Sequence, residues 1–371
     1  MRKPGRTILL AGALLALLAL AAGCGSSSTD SSSSSGGSGG SGTIALLLPE
    51  NQTPRYEAAD HPFFEKKVKE LCSGCKVLYS NAGGDINAQQ SQAESALTQG
   101  ADVLVVDAVD AASAAAIVTK ANAQNVPVVS YDRLILDSPV DYYISYDNVK
   151  VGELQGSSLA AKLKADGNAS GPVVKINGDP ADNNAKLFSQ GGTKALDAAG
   201  VKVAKEYDTP GWLASNAQNE MQQAITALGN TGFNGVLAAN DDTAGGAIAA
   251  MKSAGIDPAT RPTTGQDATA AGIQRILVGD QYMTVYKAAT PEANTAAEIA
   301  VALAQGKKVP SGLINTKTNN GQVDVPSVIF KPVALTLDNI AKEGPIKDGE
   351  LSVKDVCTGQ FAAACKKAGV S

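Results

Sequence analysis

The chain has 371 residues, a formal net charge of −5 and 18% charged residues. That length suits two domains, and the absence of basic clusters argues against a nucleic-acid partner. Its one histidine, His61, would have to serve in any Ser-His or Cys-His catalytic pair, and it lies in Asp60-His61-Pro62-Phe63, a helix-start pattern rather than a general-base setting.

Residues 1–23 fall into three zones: basic Arg2, Lys3 and Arg6, an apolar run from Ile8 to Leu20, and the small residues Ala21-Ala22-Gly23. This is the pattern of an export signal, and the apolar run is shorter than the roughly 20 residues needed to span a bilayer. Ala21-Ala22-Gly23-Cys24 resembles the bacterial lipobox. That likeness implies cleavage before Cys24, acylation of its thiol, and retention on the outer face of the cytoplasmic membrane at about 0.8 kcal/mol per buried methylene. Residues 24–42, almost wholly Ser and Gly, read as a flexible tether. The four remaining cysteines, Cys72, Cys75, Cys357 and Cys365, are even in number and suggest disulfides outside the cytoplasm. Local pairs, Cys72 with Cys75 and Cys357 with Cys365, are one solution, and pairing of one cysteine from each end is the alternative. A zinc site at Cys72-Ser-Gly-Cys75 would need two further ligands, so no metal is expected.

In the body, short apolar runs alternate with Ala-rich stretches. Strands are predicted at Ile44–Leu48, Val77–Tyr79, Val103–Val106, Val126–Val129, Val173–Ile176 and Val236–Ala239. Helices are predicted at Asn87–Gln99, Ala111–Gln124, Lys150–Lys164, Ala185–Ala199, Ala214–Leu228 and Asp242–Ala254. Alternation at this spacing means α/β architecture with parallel sheets covered on both faces, where ligands sit beyond the carboxyl ends of the strands.

Those ends are polar: Tyr131-Asp132-Arg133, Asp179 to Asn184, Asn240-Asp241-Asp242, Thr264-Gly265-Gln266-Asp267 after Arg261–Thr263, and Met283 to Lys287. Helix N-capping accounts for Asp182, Asn184, Asn240 and Asp241 taken singly. It does not account for Arg133 or Lys287, because cations are unfavourable at helix N-termini. A mixed Asp/Asn/Arg/Lys ring suits the vicinal hydroxyls of a neutral polyol, whose C–H faces call for aromatic cover. Trp212, the sole tryptophan, in Pro210-Gly211-Trp212-Leu213, and Tyr56, in the loop after the first strand, are the candidates. Packing inside a lobe is the alternative for Trp212, and an ordinary surface position for Tyr56. The body has no Gly-x-Ser-x-Gly elbow, phosphate loop or His-Glu-x-x-His helix, so capture rather than catalysis is expected.

Longer runs carry a resemblance: Tyr131–Ile135, Tyr143–Gln155, Asp182–Phe188, Gly211–Leu213, Asn240–Ile248, Gly265–Ala268, Met283–Lys287 and Asn294–Ala300. Together they make the body similar to the periplasmic sugar-binding proteins of ABC importers, in the branch that takes D-xylose. The resemblance implies two Rossmann-like lobes joined by a three-crossover hinge and closing on a monosaccharide, with no cofactor. It puts crossovers near Asn148, near Lys287 and within 319–325. The lobes are then 43–148 plus 288–320, and 149–287 plus 321–371. It also implies that Arg55, Asp132, Arg133, Asp182, Asn184, Asn240, Asp267 and Lys287 bond the hydroxyls and ring oxygen while Tyr56 and Trp212 sandwich the ring. The chain has Tyr56 where that branch has tryptophan. The implied partners are D-xylose and an importer permease, served by a monomer. A broader aldose receptor, or a sugar sensor for a membrane signalling partner, is the alternative. A LacI-type regulator shares the fold but would need a basic helix-turn-helix at the front, where this chain reads as a leader and tether.

Overall fold

The computed structural model describes residues 41–370; the leader, Cys24 and most of the tether lie outside the described residues. In chain order the elements are β1 Ser41–Leu48, α1 His61–Leu71, β2 Gly74–Asn81, α2 Ile86–Thr98, β3 Val103–Val106, α3 Ala115–Asn122, β4 Val128–Tyr131, β5 Tyr142–Tyr146, α4 Asn148–Ala165, β6 Val173–Ile176, α5 Asn183–Ala198, β7 Val203–Tyr207, α6 Ala214–Leu228, β8 Gly235–Ala238, α7 Asp241–Ser253, α8 Ala270–Val278, β9 Met283–Tyr286, α9 Ala289–Ala304, β10 Thr316–Asn319, β11 Asp324–Phe330, β12 Val333–Thr336, α10 Val353–Val356 and α11 Ala362–Ala368.

The first lobe is a sheet in the order β10-β11-β5-β4-β3-β1-β2, parallel except for the β10–β11 hairpin. Alternation along β1 explains its two covered faces. Ile44, Leu46 and Leu48 join Phe64, Val68 and Ile299 of α1 and α9 in one cluster, whereas Ala45 and Leu47 join Leu97, Ile117 and Val118 of α2 and α3 in another. In the second lobe β6 lies between β7 and β8, and bridges at Thr263 and Gln266 carry the sheet on to β9 and β12. Val174 and Ile176 pack with Met221, Ile248 and Met251 of α6 and α7, while Val173 packs with Leu159, Leu163 and Leu196 of α4 and α5. Disulfides join Cys72 to Cys75 and Cys357 to Cys365. The second lies in the C-terminal segment, where Val356 and Cys365 cluster with Ile273 and Ile276 of α8.

Four expectations about boundaries change. The strand pairing of β1 begins at Ser41, with Gly42 opposite Cys75, so the tether stops short of residue 42. A side chain at Gly42 would put its Cβ 2.9 Å from the Ala304 Cβ, so a glycine there lets α9 pack closely. The helix expected from Ala111 starts at Ala115, because the Ala111 N–H donates to the Ala181 carbonyl at 3.1 Å and its own carbonyl accepts from Leu136 at 2.8 Å. The Arg261–Thr263 strand is reduced to bridging contacts around Pro262, which has no N–H for a ladder. The third crossover is not within 319–325. Those residues make the β10–β11 turn, with Gly321 at φ +99° and β11 parallel to β5, so 321–330 belong to the first lobe and the chain crosses between Phe330 and Val333. The crossings are tied together: the Asp147 N–H donates to the Phe330 carbonyl at 2.9 Å, and the Tyr146 hydroxyl donates to the Ala288 carbonyl at 2.8 Å.

Candidate functional site

The loop after β1 is shaped by Glu50, whose carboxylate accepts from the Thr53 N–H at 3.0 Å. Thr53, Arg55 and Tyr56 are thereby presented to the carboxyl end of β4, where Asp132 takes φ +51°. That left-handed backbone suits a short polar side chain. It is held by three donors to the Asp132 carbonyl: Ser145 Oγ at 2.7 Å, Tyr143 Oη at 3.2 Å and Asn184 Nδ2 at 3.0 Å. The last of these comes from the opposite lobe.

The second lobe supplies residues at its own strand ends. Asp182 caps α5 by accepting from the Asn184 N–H at 2.8 Å, and its other oxygen pairs with Arg133 Nε at 3.1 Å. Asn240 caps α7 through a 2.9 Å bond from the Thr243 N–H. Capping and site lining therefore coexist in Asp182 and Asn240. Trp212 is buried at φ +56°, edge-on to Phe188 at 6.4 Å between ring centroids. Gly178 passes so close behind it that a Cβ there would lie 1.9 Å from the indole. Asp267, at φ +88°, and Lys287, at the end of β9, complete the ring.

Charge pairing sets the electrostatics. Lys287 Nζ lies 3.5 Å from Asp132 and 3.8 Å from Asp267. Burial alone would push the Asp132 carboxyl up, but Lys287, Arg55 and Arg133 hold it below the ordinary carboxylate range. Burial would likewise pull Lys287 down, and Asp132 and Asp267 more than offset it. At Asp182 and Asp267 burial wins over Arg133 and Lys287 respectively, so both carboxyls are raised. Arg133 sits among Asp182, Asp107 at 3.5 Å and Glu50 at 3.4 Å, and it also donates to the Tyr56 hydroxyl at 3.2 Å. The Tyr56 hydroxyl in turn donates to Asp132 at 3.2 Å.

All ten residues expected to bind ligand line one cavity. Thr53, Phe188 and Gln266 line it too, and reasoning from the sequence missed them. Each had a local signal: Thr53 lies two residues before Arg55, Phe188 one helical turn beyond Asn184, and Gln266 beside Asp267. The lining carries three cations (Arg55, Arg133, Lys287) and three carboxylates (Asp132, Asp182, Asp267), which suits a neutral ligand. Four of its buried polar atoms have no hydrogen-bond partner among the described residues: donors Arg55 Nη1 and Trp212 Nε1, and acceptors Gln266 Oε1 and Asp267 Oδ1. Buried polar atoms rarely stay unpaired, so mixed donors and acceptors around one small cavity call for a ligand with hydroxyls of both kinds. His61 is elsewhere, stacked on Tyr79 at 3.5 Å and 3.2 Å from Glu65.

Comparison with known proteins agrees with this chemistry. The family described as "Periplasmic binding protein domain" matches residues 44–308. The chain is 42% identical over 294 residues to the D-xylose-binding periplasmic protein of Escherichia coli, covering 78% of this chain and 85% of that one. It is 40% identical over 294 residues to the protein of the same name from Haemophilus influenzae, with the same coverage of 78% and 85%. An ABC transporter solute-binding protein from Clostridium phytofermentans, solved with bound β-D-glucose, superposes at a TM-score of 0.76 with 28% identity, over 85% of this chain and 99% of that one.

Proposed function

The chain belongs to the periplasmic binding protein family, and on that premise we propose that it captures D-xylose between its two lobes and hands it to the permease of an ABC importer. That it is a sugar-binding protein of the ABC-transport type, in a family of receptors rather than enzymes, follows from its relatives. The observation that carries the reading is the electrically balanced ring at the cavity, with donors on Arg55 and Trp212 and acceptors on Gln266 and Asp267 that make no hydrogen bond among the described residues. Micromolar capture needs about −8 kcal/mol. Hydrogen bonds to charged groups contribute about 1.5–3 kcal/mol each, so about eight supply roughly 12–24 kcal/mol, which covers that figure together with an association cost in the lower part of its range of about 4–15 kcal/mol. Arg55, Asp132, Arg133, Asp182, Asn184, Asn240, Asp267 and Lys287 supply the polar contacts in this reading, and Tyr56 and Trp212 cover the ring faces. Export through residues 1–23 and acylation at Cys24 keep the receptor, a monomer, beside its permease.

A broader aldose range is the second reading. Tyr56 favours it, because a hydroxyl bonded to Asp132 and Arg133 competes for groups that a ligand would use. Calorimetry on residues 41–371 with a panel of pentoses and hexoses tests both. Xylose should bind at least tenfold tighter than glucose, galactose or arabinose; comparable constants would favour the broad receptor, and no heat with any aldose would remove the sugar assignment. Bound xylose should also stabilise the fold by about 2.7 kcal/mol at a hundred times Kd.

A further inference from the structure

Glu292, in the first turn of α9, is fully buried, and one of its oxygens accepts from Arg55 Nη2 at 2.6 Å. It does not line the cavity. Arg55 is meanwhile gripped from its own turn by Asp60, with Nε to Oδ2 at 2.8 Å and Nη2 to Oδ1 at 2.6 Å. Asp60 is itself bonded by the Tyr131 hydroxyl. Two of the three nitrogens of the guanidinium are thus committed to carboxylates behind the site, and the third, Nη1, has no hydrogen-bond partner among the described residues although Arg55 lines the cavity. A guanidinium is a rigid planar fork, so fixing Nε and Nη2 fixes the direction of Nη1.

We propose that Glu292 is a positioning residue for sugar capture: by clamping Arg55 Nη2 opposite Asp60, it aims Nη1 at one hydroxyl of the bound sugar. The inference rests on the sugar-binding reading above. Glu292 lies just beyond the second crossover, five residues after Lys287, so the clamp joins the hinge to the loop that carries Arg55. Its second oxygen, Oε1, is buried without a hydrogen-bond partner among the described residues, and Asp60 stays paired with the guanidinium when Glu292 is replaced, so the Arg55 charge keeps one carboxylate.

The test is a double-mutant cycle with two readouts, sugar affinity by calorimetry and melting temperature without sugar. Glu292→Met should weaken xylose binding about tenfold, and Glu292→Gln, which keeps an acceptor, should recover most of the affinity. In an Arg55→Gln background, Glu292→Met should change affinity less than twofold, because the group it aims is gone. Should Arg55→Gln not fold, Arg55→Lys serves in its place. A lower melting temperature with unchanged affinity would make Glu292 a packing residue and overturn the proposal, as would an equal loss in both backgrounds. Wild-type protein that binds no aldose would overturn the sugar reading and this inference with it; wild-type binding with an unaffected Glu292→Met variant would overturn this inference alone.

Discussion

Replacing Gly178 by alanine tests the site through one contact. The added Cβ would fall 1.9 Å from one indole carbon of Trp212 and 2.3 Å from two others, where carbon atoms ordinarily stand about 3.5–4.0 Å apart. The indole must therefore retreat by about 1.5–2 Å. It has little room, because Trp212 packs with Phe188, Val151, Ala185 and Met283 on the same lobe. Overpacking of this kind costs about 1–3 kcal/mol of stability. The displaced ring also loses its stacking face for the sugar, about 0.5–1.5 kcal/mol more, and misdirects Nε1, so affinity should fall by roughly tenfold to a hundredfold. Trp212 is the only tryptophan, so tryptophan emission, excited selectively over the tyrosines, reports this residue alone. The variant should show a shifted emission without sugar and a weakened response on titration. Emission and Kd both matching wild type would refute the placement of the indole over Gly178 and its part in the site.

Arg133→Ala should abolish detectable binding and also lower stability by about 3–5 kcal/mol, since it strips the cation from buried Asp182, Asp107 and Glu50; a urea melt unchanged from wild type would contradict that account. Burial first, then neighbouring Asp241 and Asp267, push the Asp242 carboxyl up to about 7. The unfolded chain releases this proton near pH 4, so the native state holds it longer, and the associated stability is lost as pH climbs from about 4 through about 7. Asp242→Asn should accordingly raise the melting temperature near pH 8 and leave it unchanged near pH 4, and equal shifts at both would exclude the linkage. Cys24→Ser should move the full-length protein from the membrane to the soluble fraction of its host, whereas continued sedimentation with membranes would rule out the thiol as the anchor.

Much of the site was legible because parallel α/β sheets place function at strand ends, and the residues after each apolar run can be read directly. Asp132, Arg133, Asp182, Asn240, Asp267 and Lys287 all follow such runs. Two of them also cap helices, so composition alone could not separate the roles, and the structure shows Asp182 and Asn240 in both. Phe188 was passed over because it lies inside a helix, where an aromatic reads as core. The hinge was misjudged at 319–325 because an Asn-Asn-Gly turn interrupts the apolar pattern equally well at a crossover or a hairpin.

Local pattern thus determined the alternation of strands and helices and the polar residues at the strand ends, since each depends on neighbours within a turn or a strand. Only the tertiary structure decided which of those residues meet. Asp132 and Lys287 are 155 residues apart in sequence, yet they pair at 3.5 Å because three crossovers bring the two sheets' carboxyl ends face to face. It alone also decided that Asp60 and Glu292 occupy Nε and Nη2 of Arg55 and leave Nη1, because which nitrogen remains depends on a carboxylate from Arg55's own turn and one 237 residues away meeting on one planar group.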